Sequence, residues 1–358
     1  MSRRRSCNSD RERVCDDRQD LRLRTSARGS TGTCSRTCRS RPGYGKVNGA
    51  RFVSGGPVRL LTMSEANVDL IRELLREQHP DLAELPLRAV DGGWGNQMWR
   101  LGDDLAVRVQ RMNASTEPQL LERLWLPRLA PRLPLPIPVP VRDGEPSQRF
   151  PKIWTVMTWV HGVPLDRATI TRSDDAADAL AGFLRALHTP APVDAPVDTV
   201  GRAGHPKESR EGFEQFFDAI DPKAISADAE KIRAVWDDAT AAPAWEKPQV
   251  WVHGDLHPAN VVGVDGNITG VVDFEDVRAG DPAVDLASAW LLLPAQAIAR
   301  FFSTYACADE AAVRRARGHA ILKSLFLILM GQNGDRGIPG GKPAWGPIGR
   351  AALDRVLA

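Results

Sequence analysis

Asp255, Asn260 and Asp273 are the side chains whose types and spacing are best suited to chemistry: Asn260 follows Asp255 by five positions, and Asp273 follows Asn260 by thirteen. Apolar residues flank them at 250–252, 261–264 and 268–272, which reads as three short buried strands with Asp265-Gly266 as the hairpin turn. Buried strands leave no room for unpaired carboxylates, so the polar side chains belong at strand ends, facing a common cleft. Phosphoryl transfer asks for little more. It needs one carboxylate for the acceptor hydroxyl and a pair of hard oxygen ligands to hold magnesium on nucleotide phosphates. Asp255 is the expected catalytic residue, and Asn260 with Asp273 the expected ligands of Mg2+.

The run His253-Gly254-Asp255-Leu256-His257-Pro258-Ala259-Asn260, followed by Asp273-Phe274-Glu275-Asp276 and Gly280-Asp281-Pro282 with Asp285, resembles the catalytic and metal loops of the kinase-like superfamily. In its particular form it is similar to the aminoglycoside phosphotransferase family. The resemblance is firm over 249–290 and looser across 64–358. It implies an α+β, two-lobed protein-kinase-like fold, with a small antiparallel-sheet N-lobe and a mainly helical C-lobe. It implies ATP or GTP as co-substrate, and it gives Asp281 and Asp285 the task of bracing the catalytic loop. A competing reading takes the alternating His253, Asp255 and His257 as transition-metal ligands on one strand face. Pro258 argues against a continuing strand, and that scheme has no use for Asn260 and Asp273. For His253 the expected role is a buried ring bonding the loop backbone.

The elements that must position these groups follow in chain order. Ser64 can cap a helix whose face carries Val68, Ile71, Leu74 and Leu75. Strands are expected at 87–90, 97–101 and 105–109, joined by the turns Gly92-Gly93-Trp94-Gly95-Asn96 and Gly102-Asp103-Asp104. Glycine lets backbone amides approach a phosphate, so Gly93, Gly95 and Asn96 are expected at the nucleotide. On the third strand Arg108 points away from the face of Val107 and Val109. By the resemblance it stands where a strand lysine reaches the phosphates, and Glu122, on a helix over 116–126 ended by Pro127, is its expected partner. The alternating prolines at 131–140 must run extended. A strand over 153–160 leads to the hinge between lobes, where the main chain of Trp159 and Val160 is expected to meet the base. Helices follow, one ending at His188 and others at 213–219, 227–236, 281–293, 295–306, 310–330 and 348–357, with 331–346 as a linker. The segment 171–248 holds 15 acidic against nine basic residues, which reads first as solvated helix faces and second as an attraction for a cationic acceptor.

The net charge of +2 hides two unlike parts. Residues 1–62 hold 15 Lys+Arg against five Asp+Glu, which leaves 32 against 40 for the rest. That arm lacks apolar periodicity, so the expectation is a disordered basic segment ahead of a natural start at Met63. It lacks the apolar core of a secretory signal. Its four cysteines form no C-x-x-C pairs, and no histidine precedes His79, so zinc is not expected. The apolar run at 320–330 contains Lys323 and is too short to span a bilayer.

The expected organisation is an arm at 1–62, a nucleotide-binding lobe at 63–161 and a catalytic and acceptor-binding lobe at 162–358. The expected reaction carries the γ-phosphoryl group of ATP or GTP to a hydroxyl of a small molecule, such as an aminoglycoside or related antibiotic. The chain would be cytoplasmic, monomeric or homodimeric, and would engage neither nucleic acid nor membrane. The alternative is a non-catalytic nucleotide-binding protein on the same fold. A protein kinase is disfavoured, because no Ala-Pro-Glu segment or activation-loop length follows Asp273.

Overall fold

The computed structural model describes residues 66–90, 95–111, 114–197, 203–225 and 228–358. The expectations for the arm, for Ser64 and for Gly92, Gly93 and Trp94 lie outside the described residues. Helix α1 (Val68–Gln78) is capped by Asn67, whose side chain accepts from the Leu70 amide, so the cap lies three residues beyond Ser64.

Strands β1 (Leu87–Val90), β2 (Asn96–Leu101) and β3 (Leu105–Gln110) follow, then helix α2 (Glu117–Leu129) and strands β4 (Pro140–Gly144) and β5 (Trp154–Thr158). They form one antiparallel sheet in the order β1-β2-β3-β5-β4. One face of the sheet buries Val107, Val109, Trp154 and Val156 against Ile71, Leu74 and Leu75 of α1 in a compact apolar core. The period of two therefore turns Arg108 to the other face, under α2. Helix α2 runs through Pro127 instead of stopping there. Burial of Trp125, Leu126 and Leu129 in the larger core holds that last turn, and Trp125 meets Trp251 at 4.8 Å. The same helix thus covers the sheet and enters the second core.

The larger core is built from β6 (Val163–Pro164), α3 (Ser173–Leu187), α4 (Arg210–Ala219), α5 (Ala229–Ala241), β7 (Val250–Val252), β8 (Val261–Val264), β9 (Asn267–Val271) and β10 (Arg278–Gly280). It is completed by α6 (Ala283–Leu286), α7 (Ser288–Leu292), α8 (Ala295–Tyr305), α9 (Glu310–Asp335) and α10 (Trp345–Leu357). Asp265 and Gly266, with φ of 50° and 74°, make the β8–β9 turn that their types require. Strand β7 pairs with β10 in its own small sheet, and the expected helix over 281–293 is broken into α6 and α7. Among the described residues no helix is long and apolar enough to cross a membrane.

Helix α9 continues to Asp335, beyond the expected boundary at 330. Gly331 is a packing residue there, because a Cβ on it would lie 2.4 Å from the Gly346 Cα on α10. Glycine is what lets the two helices approach. Gly331→Ala should therefore lower stability by about 1–3 kcal/mol, the usual cost of overpacking a close contact, and thermal unfolding of the purified variant measures it.

Candidate active site

The loop after β7 carries Asp255, and its backbone is fixed from below. Asp285 is fully buried and accepts from the amides of His253 (2.7 Å) and Gly254 (2.9 Å), and its Oδ2 lies 3.2 Å from His188 Nε2. Burial alone would raise the Asp285 carboxyl, but the His188 ring and the His253 amide hold it below the usual range. Gly254 has φ 84°, and a Cβ there would meet the Asp276 carbonyl at 2.7 Å, so the turn needs glycine. His253 bonds the Val272 carbonyl through Nε2 at 3.0 Å and accepts the Asp255 amide at Nδ1. That is the backbone-bonding role expected of it, and it removes His253 from any metal scheme. Asp281 departs from its expected role: it takes Arg315 Nε at 2.6 Å and caps Ala283, so it anchors α9 and leaves the loop to Asp285.

The Asp255 side chain is 15% exposed. Its Oδ1 pairs with the Lys323 ammonium from α9, while Oδ2 accepts no hydrogen bond among the described residues and lies 3.7 Å from His257 Nε2. Burial would raise this carboxyl, but Lys323 and then His257 outweigh it and bring it to about 2. His257, buried beside Lys323 and Asp255, is lowered to about 4 and is neutral at pH 7. Its ring packs on Trp345 at 5.1 Å, whose indole donates to Asp166 Oδ2 at 3.0 Å.

Asn260 and Asp273 sit at the open end of the β8–β9 hairpin. The Asn260 carbonyl accepts the Val272 amide at 2.9 Å, one residue before Asp273, and Asn260 Nδ2 donates to the Asp255 carbonyl at 3.0 Å. The Asn260 Oδ1 and the Asp273 carboxyl accept no hydrogen bond among the described residues. Asp273 holds φ 65°, a left-handed conformation costly for a side-chain-bearing residue and frequent at functional sites. The residue is exposed, yet desolvation by the protein beside it, then the charge of Glu275, raise its carboxyl above the usual range, and Arg108 pulls it down. Asp255 adds to the crowding, so the two aspartates lie within reach of each other's charge. Two oxygen donors that accept no hydrogen bond among the described residues, in a surplus of carboxylates, fit a hard divalent cation. No cluster of three or more His, Cys, Asp or Glu forms a cage among the described residues, so such an ion would complete its shell with phosphate and water.

Arg108 is nearly buried and held by two carboxylates: Nη1 meets Glu122 Oε2 at 2.5 Å, and Nη2 meets Glu275 Oε1 at 2.6 Å. Asn96 Nδ2 donates to that same Glu275 oxygen. The structure thus brings Asn96, Arg108 and Glu122 together, and joins the sheet to the loop of Asp273 through Glu275. Gly95 precedes β2, with its carbonyl accepting the Arg111 amide, and it has no positive φ. The Trp159 amide is taken by the Asp104 carbonyl at 2.7 Å, while Val160 follows it into the connection between the cores.

A profile described as the phosphotransferase enzyme family matches residues 86–319, about two thirds of the chain. The chain belongs to the phosphotransferase enzyme family. Relatives of this family member include a homoserine kinase of Acidiphilium cryptum, 31% identical over 46% of this chain and 51% of that protein. A viomycin phosphotransferase of Streptomyces vinaceus is 26% identical over 50% of this chain and 63% of that protein. The chain therefore matches little more than half the length of these relatives. Among solved structures, the GDP complex of an aminoglycoside 2′-phosphotransferase superposes with a TM-score of 0.56 at 17% identity, covering 82% of this chain and 99% of that one. That likeness confirms the two-lobed α+β fold.

Lys323, Glu275 and Trp345 are the residues of this site that the sequence reading missed. Arg315, His319 and Lys323 recur every fourth residue, so three basic side chains share one face of α9, and that stripe was the available signal. Lys323→Met should let the Asp255 carboxyl rise from about 2 toward the ordinary carboxylate range. The acid limb of the kcat/KM profile should then move to higher pH, by about one unit or more. A profile that keeps its acid limb would remove Lys323 from this role.

Proposed function

We propose that the chain transfers the γ-phosphoryl group of a nucleoside triphosphate to a hydroxyl of a small molecule. The observation that carries this reading is the state of Asp255, whose Oδ1 is fixed by Lys323 while Oδ2, 3.7 Å from His257 Nε2, accepts no hydrogen bond among the described residues. Asp255 Oδ2 orients the acceptor hydroxyl and takes its proton as the oxygen bonds to the γ-phosphorus and the bond to the β-bridging oxygen breaks. At so low a pKa Asp255 is a weak base before transfer, and it acts chiefly by orientation. Arg108 and Asn96 hold phosphate oxygens, Glu122 keeps the guanidinium extended, and Gly95 approaches the phosphates, the task the sequence also suggests for Gly93. The Val160 amide meets the base, beside Trp159. Asn260 and Asp273 would hold Mg2+, which neutralises charge developing on the β- and γ-phosphates.

The names of the relatives support a hydroxylated acceptor of antibiotic or hydroxy-amino-acid type, and the same reading takes the chain as a cytoplasmic monomer or homodimer that acts without nucleic acid or membrane. The acidic insert gives little extra reason to favour a polycation. Asp174 and Asp178 pair with Arg300, Asp175 with Arg172, Glu214 with Arg233 and Asp238 with Arg314, while Asp221 and Asp228 cap helices. Screening viomycin, aminoglycosides, macrolides and homoserine for acceptor-dependent ADP or GDP release tests the reading. Release that no acceptor stimulates, with nucleotide bound, would favour the non-catalytic alternative.

A further inference from the structure

Glu275 lies on the loop of Asp273, yet its Oε1 receives both Arg108 Nη2 and Asn96 Nδ2 from the opposite sheet. Those are the two groups assigned above to the polyphosphate, and a carboxylate oxygen is the chemical stand-in for a phosphate oxygen at such a seat. Arg108 also carries Glu122 on its other nitrogen, so one guanidinium serves two carboxylates. With Asp273 close by, the seat holds more negative charge than positive. An incoming anion must therefore displace Glu275 and enter a field that repels it.

We propose that Glu275 is a built-in competitor for the polyphosphate, which makes this phosphotransferase select the cation-bound nucleotide over the free one. The inference rests on the reading of Arg108 as the phosphate holder. When a divalent cation arrives with the nucleotide at Asn260 and Asp273, its charge offsets the carboxylates. Glu275 can then yield Arg108 and Asn96 to phosphate oxygens without leaving its own charge among like charges. A free nucleotide brings no such compensation. The same contact ties the sheet to the catalytic half of the chain when no nucleotide is bound, so the seat is preformed and blocked rather than loose.

Glu275→Gln separates charge from shape, because the amide oxygen still accepts from Arg108 and Asn96. Calorimetric titration of wild type and variant with inorganic tripolyphosphate, ADP and GDP, in EDTA and in excess Mg2+, reads the effect directly. In EDTA the variant should bind these anions on the order of tenfold more tightly than wild type. In Mg2+ the two should agree within about twofold, by the same compensation. A variant that binds no more tightly in EDTA, or more weakly in both conditions, overturns the proposal and leaves Glu275 a structural brace. Arg108→Gln separates this failure from that of the broader reading. If Arg108→Gln weakens binding while Glu275→Gln fails to tighten it, only the competitor role falls. If Arg108→Gln leaves affinity unchanged, the phosphate seat itself is misplaced and both fall. Unfolding curves for each variant establish that the titrated protein is native.

Discussion

Asp255→Asn is expected to lower kcat by about two to four orders of magnitude, the range typical of a positioned acid-base group. The amide preserves size and leaves Asn260 Nδ2 its backbone acceptor at residue 255, so the loop should keep its shape. What is lost is the carboxylate charge that pairs with Lys323 and, under the proposed function, the oxygen that takes the acceptor proton. Nucleotide affinity should change by no more than a fewfold, since the phosphate seat is made by other residues. Turnover measured beside calorimetric nucleotide binding checks both halves. A fall in binding equal to the fall in turnover would point to a collapsed loop instead of a missing base.

Asp285→Ala is the second large effect. This carboxylate is fully buried and serves two amides and the His188 ring, so truncation leaves buried donors without acceptors. A loss of about 3–5 kcal/mol is expected, the range for breaking a buried charged contact by removing one partner. The pH dependence has a definite sign. The folded pKa of Asp285 lies below its unfolded value of about 3.9, so its contribution is full above that value and fades as pH falls through the folded one. Wild type and variant should differ most near neutrality and converge in strong acid. Urea unfolding at several pH values measures this, and a gap that persists unchanged into acid would contradict the assignment. Activity should fall too, because Gly254 and Asp255 share the loop that Asp285 holds.

Short-range pattern carried much of this architecture. The Asp265-Gly266 turn, the strands either side of it and the strand bearing Arg108 follow from local alternation and turn chemistry, which act within a few residues. The pairing of Arg108 with Glu122 was also legible, through the family resemblance. Contacts that depend on distant chain segments were not. Asp255 meets Lys323 across 68 positions and Arg108 meets Glu275 across 167. Nothing in the neighbourhood of either residue announces its partner. Arg315 on α9 draws Asp281 away from the catalytic loop in the same way. Two helix boundaries failed for a related reason: burial of Leu129 carries α2 past Pro127, and contact with α10 carries α9 past Gly331. In both, tertiary packing outweighs a local breaker.

Asp255, Asn260 and Asp273 are proposed to work together as one phosphoryl-transfer site. Phosphorus-31 NMR of the full chain with Mg2+, ATP or GTP and an acceptor found in the screen tests it most directly. With wild type the γ-phosphorus should reappear as a phosphomonoester on the acceptor, and with Asp255→Asn that phosphomonoester should be almost absent. A phosphomonoester formed equally fast by Asp255→Asn, or a γ-phosphorus that stays on the bound nucleotide with every acceptor, would contradict that proposal.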